Sequence, residues 1–379
     1  MKIVIDNKIP FIKGALEKQA EVVYLPGNQI SSDVVRDADA LIVRTRTKCN
    51  RELLEGSSVK FIATATIGFD HLDTKYLEAN GIAWTNAPGC NSSSVEQYIV
   101  SVLLYLADLN DMDPADYTLG VIGVGNVGKK VARAAGALGY RVIINDPPRE
   151  QAEGSEGFVS LDTLLQEADI VTMHVPLTRQ GEFATLGMAN KTFFQKMKEG
   201  SVFINSSRGE VVVEKELKEA IRASRFSEVI MDVFEKEPNV DKELLSMITI
   251  GTPHIAGYSA DGKANGTEMS VQALSRFFGL GMDDWKPSGV PKPANSRILV
   301  DGSDAEENEL LTEVYFNTYN VMEDHDRFMD HQDAFEKLRG DYRIRREPTA
   351  FSVQVFNDDG KYRKILEQLG FDVIGDSCF

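Results

Sequence analysis

Cysteine is scarce. The three that occur, Cys49, Cys90 and Cys378, are odd in number and far apart, which excludes a disulfide framework and a zinc-ligand spacing and fits a reducing compartment. Long apolar runs are missing too: the most apolar stretch, near Tyr98–Ala107, is about half of the roughly 20 residues that a membrane span needs. Basic residues are outnumbered, with 41 Lys and Arg against 58 Asp and Glu and a net charge of −17. An excess of that sign repels phosphate backbones and anionic lipid, so neither nucleic acid nor a membrane surface is an expected partner. It does not exclude a small anionic substrate, because a local cluster such as Arg44 and Arg46 reverses the field around itself. Internal repeats are absent, and the opening MKIVIDNKIPF reads as a strand and loop rather than a signal peptide. A cytoplasmic location is therefore expected.

What is present is the composition of a globular protein, 42% hydrophobic and 26% charged over 379 residues, enough for two or three domains. The runs KIVID, EVVYL, ALIVRT, FIATAT and IAWTN each suit a buried parallel strand, and FIKGALEKQA and DHLDTKYLEANG between them have helical spacing. Ser92–Ala107 reads as a long helix whose early Ser residues would cap it. A second alternating set runs from LGVIG through RVIIND, IVTMHVP, SVFINSS and VIMDVF to GTPHIAG, and residues 259–281 read as helical again. KPSGVPKPANS, Lys286–Ser296, reads as a linker. Beyond it, RILVDG, a helix over Glu307–Met322, FSVQVF and FDVIG suggest a further small unit. The expected fold class is α/β: two doubly wound domains plus a small C-terminal α+β domain. The expected boundaries are 1–92 with 257–285 for the first, 93–256 for the second and 286–379 for the third, which is expected to serve dimerisation.

Gly123-x-Gly125-x-x-Gly128 stands between an apolar strand and a helix, and the next strand ends at Asp146. Gly123 would permit the tight turn, Gly125 the approach of a pyrophosphate, and Gly128 close packing of helix on sheet. The helix N-terminus would present free N–H groups to the anion. Asp146 would accept hydrogen bonds from ribose hydroxyls and repel a 2′-phosphate, favouring NAD over NADP, with Arg149 close enough to weaken that preference slightly.

Three later strand-end segments carry Arg208 in NSSRGEVV, Asp232 and Glu237 in MDVFEKEP, and His254 in GTPHIAGYS. In an open α/β sheet such positions surround the ligand crevice. Oxidising a secondary alcohol needs a base for the hydroxyl proton while the hydride leaves for nicotinamide, and His254 suits that role. Glu237 would hold the other ring nitrogen and stabilise the imidazolium, and Arg208 would grip a carboxylate through its two-pronged fork. Asp232 would hold the nicotinamide end of the cofactor.

In this order, the glycine fingerprint, Asp146, N-x-x-RG, D-V-F-E-x-E-P and P-H-I-A-G resemble the D-isomer-specific 2-hydroxyacid dehydrogenases over residues 1 to about 281. The resemblance implies an NAD-dependent oxidoreductase acting on a phosphorylated small-molecule 2-hydroxy acid, with 93–256 as its Rossmann NAD-binding domain, 1–92 with 257–285 as its substrate domain, and itself as partner in a homodimer. It implies Arg208, Glu237 and His254 as catalytic residues, and Thr45, Thr66 and Tyr258 at the substrate. Cofactor contacts are implied at Asp146, Val175, Asp232 and Gly257, and Ser206 is counted with them. Thr45 stands where Ser is equally expected, and Gly187 where relatives can carry His. Arg44 and Arg46, alternate positions if the chain stays extended, are the candidates for the substrate phosphate. A glycerate- or phosphoglycerate-type member of the family is the first alternative. An NAD(H)-sensing, non-enzymatic binding protein is the second, and the full catalytic set and the acidic surface argue against it.

Other features invite a different chemistry. Asp70-His71-x-Asp73 reads as a helix cap rather than a metal site, and His325 and His331 in EDHDRFMDHQD read as a solvated helix face. Cys90, with no base beside it, reads as a packing residue. No metal is expected, since hydride transfer of this kind needs none.

Overall fold

The β-branched runs pair side by side as β1 (Lys2–Asp6), β2 (Glu21–Leu25), β3 (Ala40–Val43), β4 (Phe61–Thr64) and β5 (Ala83–Thr85). All pairs are parallel, in the order β2-β1-β3-β4-β5. The structure, a computed structural model, describes residues 1–303, 306–357 and 360–374, so Cys378 lies outside the described residues. The chain divides into two compact units, Met1–Asn91 with Ser259–Pro291, and Ser92–Tyr258 with the segment from Lys292 onward.

In the first unit, helix Ala260–Phe278 lays Val271 and Leu274 on a core with Ile3, Ile5, Ile42 and Ala63. Gly266 permits a close approach there: an added Cβ would lie 2.8 Å from the carbonyl oxygen of Ala65. Helix Thr74–Ala79 starts at Asp73, whose carboxylate accepts from Tyr76 N–H, as the cap reading expects. FIKGALEKQA departs from expectation, for it folds as successive turns. Phe11 and Gly14 both take positive φ, which breaks the helical hydrogen-bond series, yet Ile12 and Leu16 still reach the core.

The second unit holds β6 (Thr118–Ile122), β7 (Arg141–Asn145), β8 (Ile170–Met173), β9 (Ser201–Asn205), β10 (Phe226–Met231) and β11 (Ile250–Gly251). They are parallel throughout, in the order β11-β10-β9-β8-β6-β7. The chain steps from β6 to β7 on one side and returns on the other with β8. That reversal opens a crevice at the carboxyl ends of β6 and β8.

From Lys292 onward, β12 (Arg297–Asp301), β13 (Ser352–Phe356) and β14 (Asp372–Val373) form a parallel sheet of their own. This segment packs on helix Ser92–Leu109, where two serines bond to it. Ser94 Oγ donates to Glu347, and Ser101 Oγ bonds Tyr319 O and Val321 N. The single helix expected over Glu307–Met322 is two, Glu307–Phe316 and Val321–Asp330, because Asn320 caps the second start by accepting from Met322 N–H. Among the described residues no helix is long and apolar enough to cross a membrane.

Candidate active site

The three glycines after β6 answer to three different constraints. Gly123 has φ +84°, and a Cβ on it would lie 2.8 Å from His174 O. A Cβ on Gly128 would lie 1.9 Å from Gly123 O, so the helix Gly128–Ala137 can seat against the turn only without a side chain. Gly125 meets nothing within 4 Å, which leaves open space where a pyrophosphate would approach. No side chain caps that helix, and with Lys129 and Lys130 N–H turned back onto Gly125 O and Val127 O, Gly128 N–H is the first helical donor left for an anion.

Asp146, at the end of β7, ties this loop to the next helix. Its Oδ2 accepts from Val124 N–H at 2.7 Å and its Oδ1 from Arg149 N–H at 3.1 Å. A carboxylate has about four acceptor sites, so capacity remains for ribose hydroxyls. Arg149 is engaged on both sides, donating to Val124 O at 2.6 Å and forking onto Glu153. Ser206, just past β9, has a buried Oγ without a hydrogen-bond partner among the described residues. Open space at Gly125, an uncapped helix start, an acidic strand end and an orphaned hydroxyl all fit a bound dinucleotide.

Asn205, the last residue of β9, organises the turn that presents Arg208. Its Oδ1 accepts from Ser207 N–H and Oγ–H, and its Nδ2 donates to Arg208 O. A Cβ on Gly209 would lie 2.0 Å from Phe234 C, so this glycine lets the loop after β9 press against the loop after β10. The Arg208 guanidinium donates to Ser207 O at 2.8 Å and forms no ion pair among the described residues, leaving donors for a carboxylate.

Glu237 accepts from Phe234 N–H on Oε1 at 3.0 Å and meets His254 Nδ1 with Oε2 at 2.7 Å. Because an ionised carboxylate only accepts, Nδ1 carries the proton and Nε2 presents its lone pair. Both side chains are part-exposed, 29% for His254 and 20% for Glu237, so the ring is reachable by a substrate. His254 itself has φ +54°, an uncommon conformation for a residue with a Cβ, costing about 1–3 kcal/mol.

Asp232 holds that conformation in place. Its backbone O accepts from His254 N–H at 2.7 Å, and its carboxylate accepts from Thr252 Oγ–H, Ile255 N–H and Ala256 N–H. Burial pushes its carboxyl above the usual range, against the lowering pull of His254 and these donors. The structure thus gives Asp232 a part that sequence reasoning missed, as the inner support of the His254 loop. Tyr98 OH lies 2.9 Å from Thr252 Oγ1 and extends the chain into helix Ser92–Leu109.

His174 was also missed. It follows β8 directly, donates its N–H to Ile122 O, and floors the Gly123 turn with its carbonyl beside Val175. Burial lowers its pKa to about 3, so the imidazole stays neutral, with Nε2 3.0 Å from Thr172 Oγ1. MHVP at a strand end was the available signal. His325 corrects the solvated-face reading: it is half-buried and its Nδ1 accepts from Gly251 N–H at 3.0 Å.

In the first unit, Arg44 and Arg46 do not sit on an extended strand. The chain turns after β3, with Thr47 N–H bonded to Arg44 O. Arg44 is half-buried and donates to Lys8 O at 3.0 Å, while Thr45 and Arg46 are exposed. Thr66 Oγ1 donates to Gly68 O at 2.9 Å and lies 2.7 Å from Thr64 Oγ1, which His71 Nε2 meets at 3.0 Å. Gly257 and Tyr258 close the loop after β11 in the second unit.

Residues 106–256 match the family described as D-isomer specific 2-hydroxyacid dehydrogenase, NAD binding domain. A protein of Bacteroides thetaiotaomicron named erythronate-4-phosphate dehydrogenase is 51% identical over 354 residues, 93% of this chain and 99% of that one. A protein of the same name from Chromohalobacter salexigens is 38% identical over 378 residues, 98% of this chain and 99% of its own. Among solved structures, D-lactate dehydrogenase from Aquifex aeolicus, complexed with NAD and lactic acid, superposes with a TM-score of 0.61 at 27% identity. It covers 75% of this chain and 97% of its own.

Proposed function

The chain belongs to the D-isomer specific 2-hydroxyacid dehydrogenase family, and we propose that within it this protein oxidises 4-phospho-D-erythronate to its 2-oxo acid, a step of pyridoxal 5′-phosphate (vitamin B6) biosynthesis. The observation that carries the chemistry is the 2.7 Å pairing of His254 Nδ1 with Glu237, which leaves Nε2 as the base. The choice of hydroxy acid rests on the name shared by relatives that span nearly the whole chain.

NAD, when bound, supplies the hydride acceptor. His254 takes the hydroxyl proton at Nε2, and Glu237 stabilises the imidazolium that forms. Arg208 grips the substrate carboxylate and polarises the carbon that becomes a carbonyl. Gly125, Ser206 and Asp146 orient the dinucleotide, with Val175 and Gly257 beside it. Thr45, Thr66, Tyr258, Arg44 and Arg46 are assigned to the substrate, the two arginines to its phosphate.

A homodimer and a cytoplasmic location complete the proposal. Val314 and Val321 are buried in the unit's own core and Phe316 packs against it, so these apolar residues are not free for a dimer contact. Leu299, Ile344 and Phe356 remain exposed in the segment assigned to dimerisation. Charging Leu299 and Ile344 should shift sedimentation toward the monomer.

The function is tested by following NADH formation with a panel of 2-hydroxy acids, each with and without a terminal phosphate, and a 2-oxo acid added as acceptor. 4-Phospho-D-erythronate should give the highest kcat/KM. Equal or better turnover of glycerate or phosphoglycerate would overturn the substrate assignment.

A further inference from the structure

The loop from Gly251 to Tyr258 carries His254, and residues far along the chain in the same unit touch it at its start, its middle and its end. His325 Nδ1 accepts from Gly251 N–H at 3.0 Å. Arg345 Nη2 donates to Ala256 O at 2.5 Å and to Ser94 O, on helix Ser92–Leu109, at 3.3 Å. The Tyr342 ring stands edge-on to Tyr258 at 5.7 Å, and the Arg339 guanidinium lies 5.6 Å over the same ring.

Ala256 is the focus. Its N–H is held by Asp232 and its C=O by Arg345, so the two peptide groups that flank its Cα are each pinned. The left-handed His254 lies only two residues earlier, and such a conformation persists when its surroundings over-determine it. Arg345 is suited to pinning. It is 3% exposed and stacks 4.4 Å over the Tyr319 ring, whose OH, like that of Tyr342, donates to Asp324. A buried guanidinium is costly without such neighbours. The hydrogen bonds that this one makes link the loop carbonyl to a rigid helix.

We infer that the segment from Val321 to Arg345 is a brace that sets the position of the His254 loop, and that Arg345 is a positioning residue for the proton transfer. The inference rests on the reading of His254 as the acid–base group. It assigns the C-terminal segment a part in turnover, distinct from any part in dimerisation.

Arg345→Met keeps volume and removes the donor. It should lower kcat by about 10²-fold, the cost of misplacing a reacting group by about 1 Å. The NAD dissociation constant should stay near its wild-type value, and the pH profile of kcat should be displaced. Arg345→Lys should recover part of the loss. Should Arg345→Met fail to fold, His325→Leu and His325→Gln replace it: the Gln side chain restores an acceptor for Gly251 N–H and should recover the kcat that Leu loses. A folded Arg345→Met with wild-type kcat and pH profile, or equal kcat in the two His325 variants, would overturn the brace. The His254 ring signals, titrated by NMR in the same proteins, separate the two readings. A wild type inactive on every 2-hydroxy acid refutes the proposed function, while a His254 titration moved by Arg345→Met still upholds the brace.

Discussion

The glycine loop at 123–128 and the histidine loop at 251–258 lie in one unit, after β6 and β11, and they are held by different means. In the first, the constraints come from residues close by or on adjacent strands: Gly128 against Gly123, Val124 against Asp146, Gly123 against His174. In the second, no glycine relieves the positive φ at His254, and the supports come from Asp232, Arg345, His325 and Tyr342. A loop built from its own residues is specified by spacing. A loop held by distant side chains can be disturbed from anywhere those side chains are rooted. Damage near the first should therefore appear in NAD affinity, and damage around the second in turnover.

The sharpest way to break this division is His254 itself. His254→Ala should lower turnover by about 10²–10⁴-fold, the usual contribution of a positioned acid–base group, with the NAD dissociation constant unchanged. A comparable loss of NAD affinity in a folded variant would mean that the two loops are not separable.

On the cofactor side, Gly128→Ala and Gly125→Ala should part company. The first forces a Cβ to 1.9 Å from a carbonyl and should destabilise the fold by about 1–3 kcal/mol, read as a lower melting temperature. The second meets no protein atom, so its melting temperature should hold while NAD binding weakens about tenfold. Equal melting losses in both would refute the assignment of Gly125 to ligand space.

Asp146→Ala should narrow the preference for NAD over NADP and, through loss of the helix cap, cost about 0.5–2 kcal/mol of stability. Dissociation constants for both cofactors in both proteins decide the first part, and a wild type that binds NADP as well as NAD would contradict it. The smallest effect is a shift rather than a loss. Glu237→Gln removes the charge that stabilises the imidazolium, and alcohol oxidation needs the neutral ring. The acidic limb of the kcat/KM profile should therefore move to lower pH, and an unmoved limb would uncouple Glu237 from the base.

Legibility in the sequence follows the same division. The strand runs, the glycine fingerprint, Asp146 at the next strand end and the Asp73 cap were readable because each is a local pattern of spacing and residue type. Where the reading went astray, a nearby break or a distant contact had intervened. Pro10, Phe11 and Gly14 cancelled a helical periodicity, a turn at Thr47 ended the extension assumed for Arg44 and Arg46, and Gly251 turned His325 from a surface residue into an acceptor. Arg345 carried no flag, because a buried partner leaves no trace in spacing.

The sequence by itself determined the parallel α/β architecture and the glycine turn after β6, and it named the candidate base and cation, since hydrophobic periodicity and strand-end motifs are one-dimensional signals. Only the tertiary structure decided that Nδ1 of His254 faces Glu237 and that Asp232 turns onto the loop beside it. It also decided that a guanidinium 89 residues beyond Ala256 holds that residue's carbonyl. These are pairings between separate segments, and they exist only once the unit's core has closed and the buried donors and acceptors must find one another.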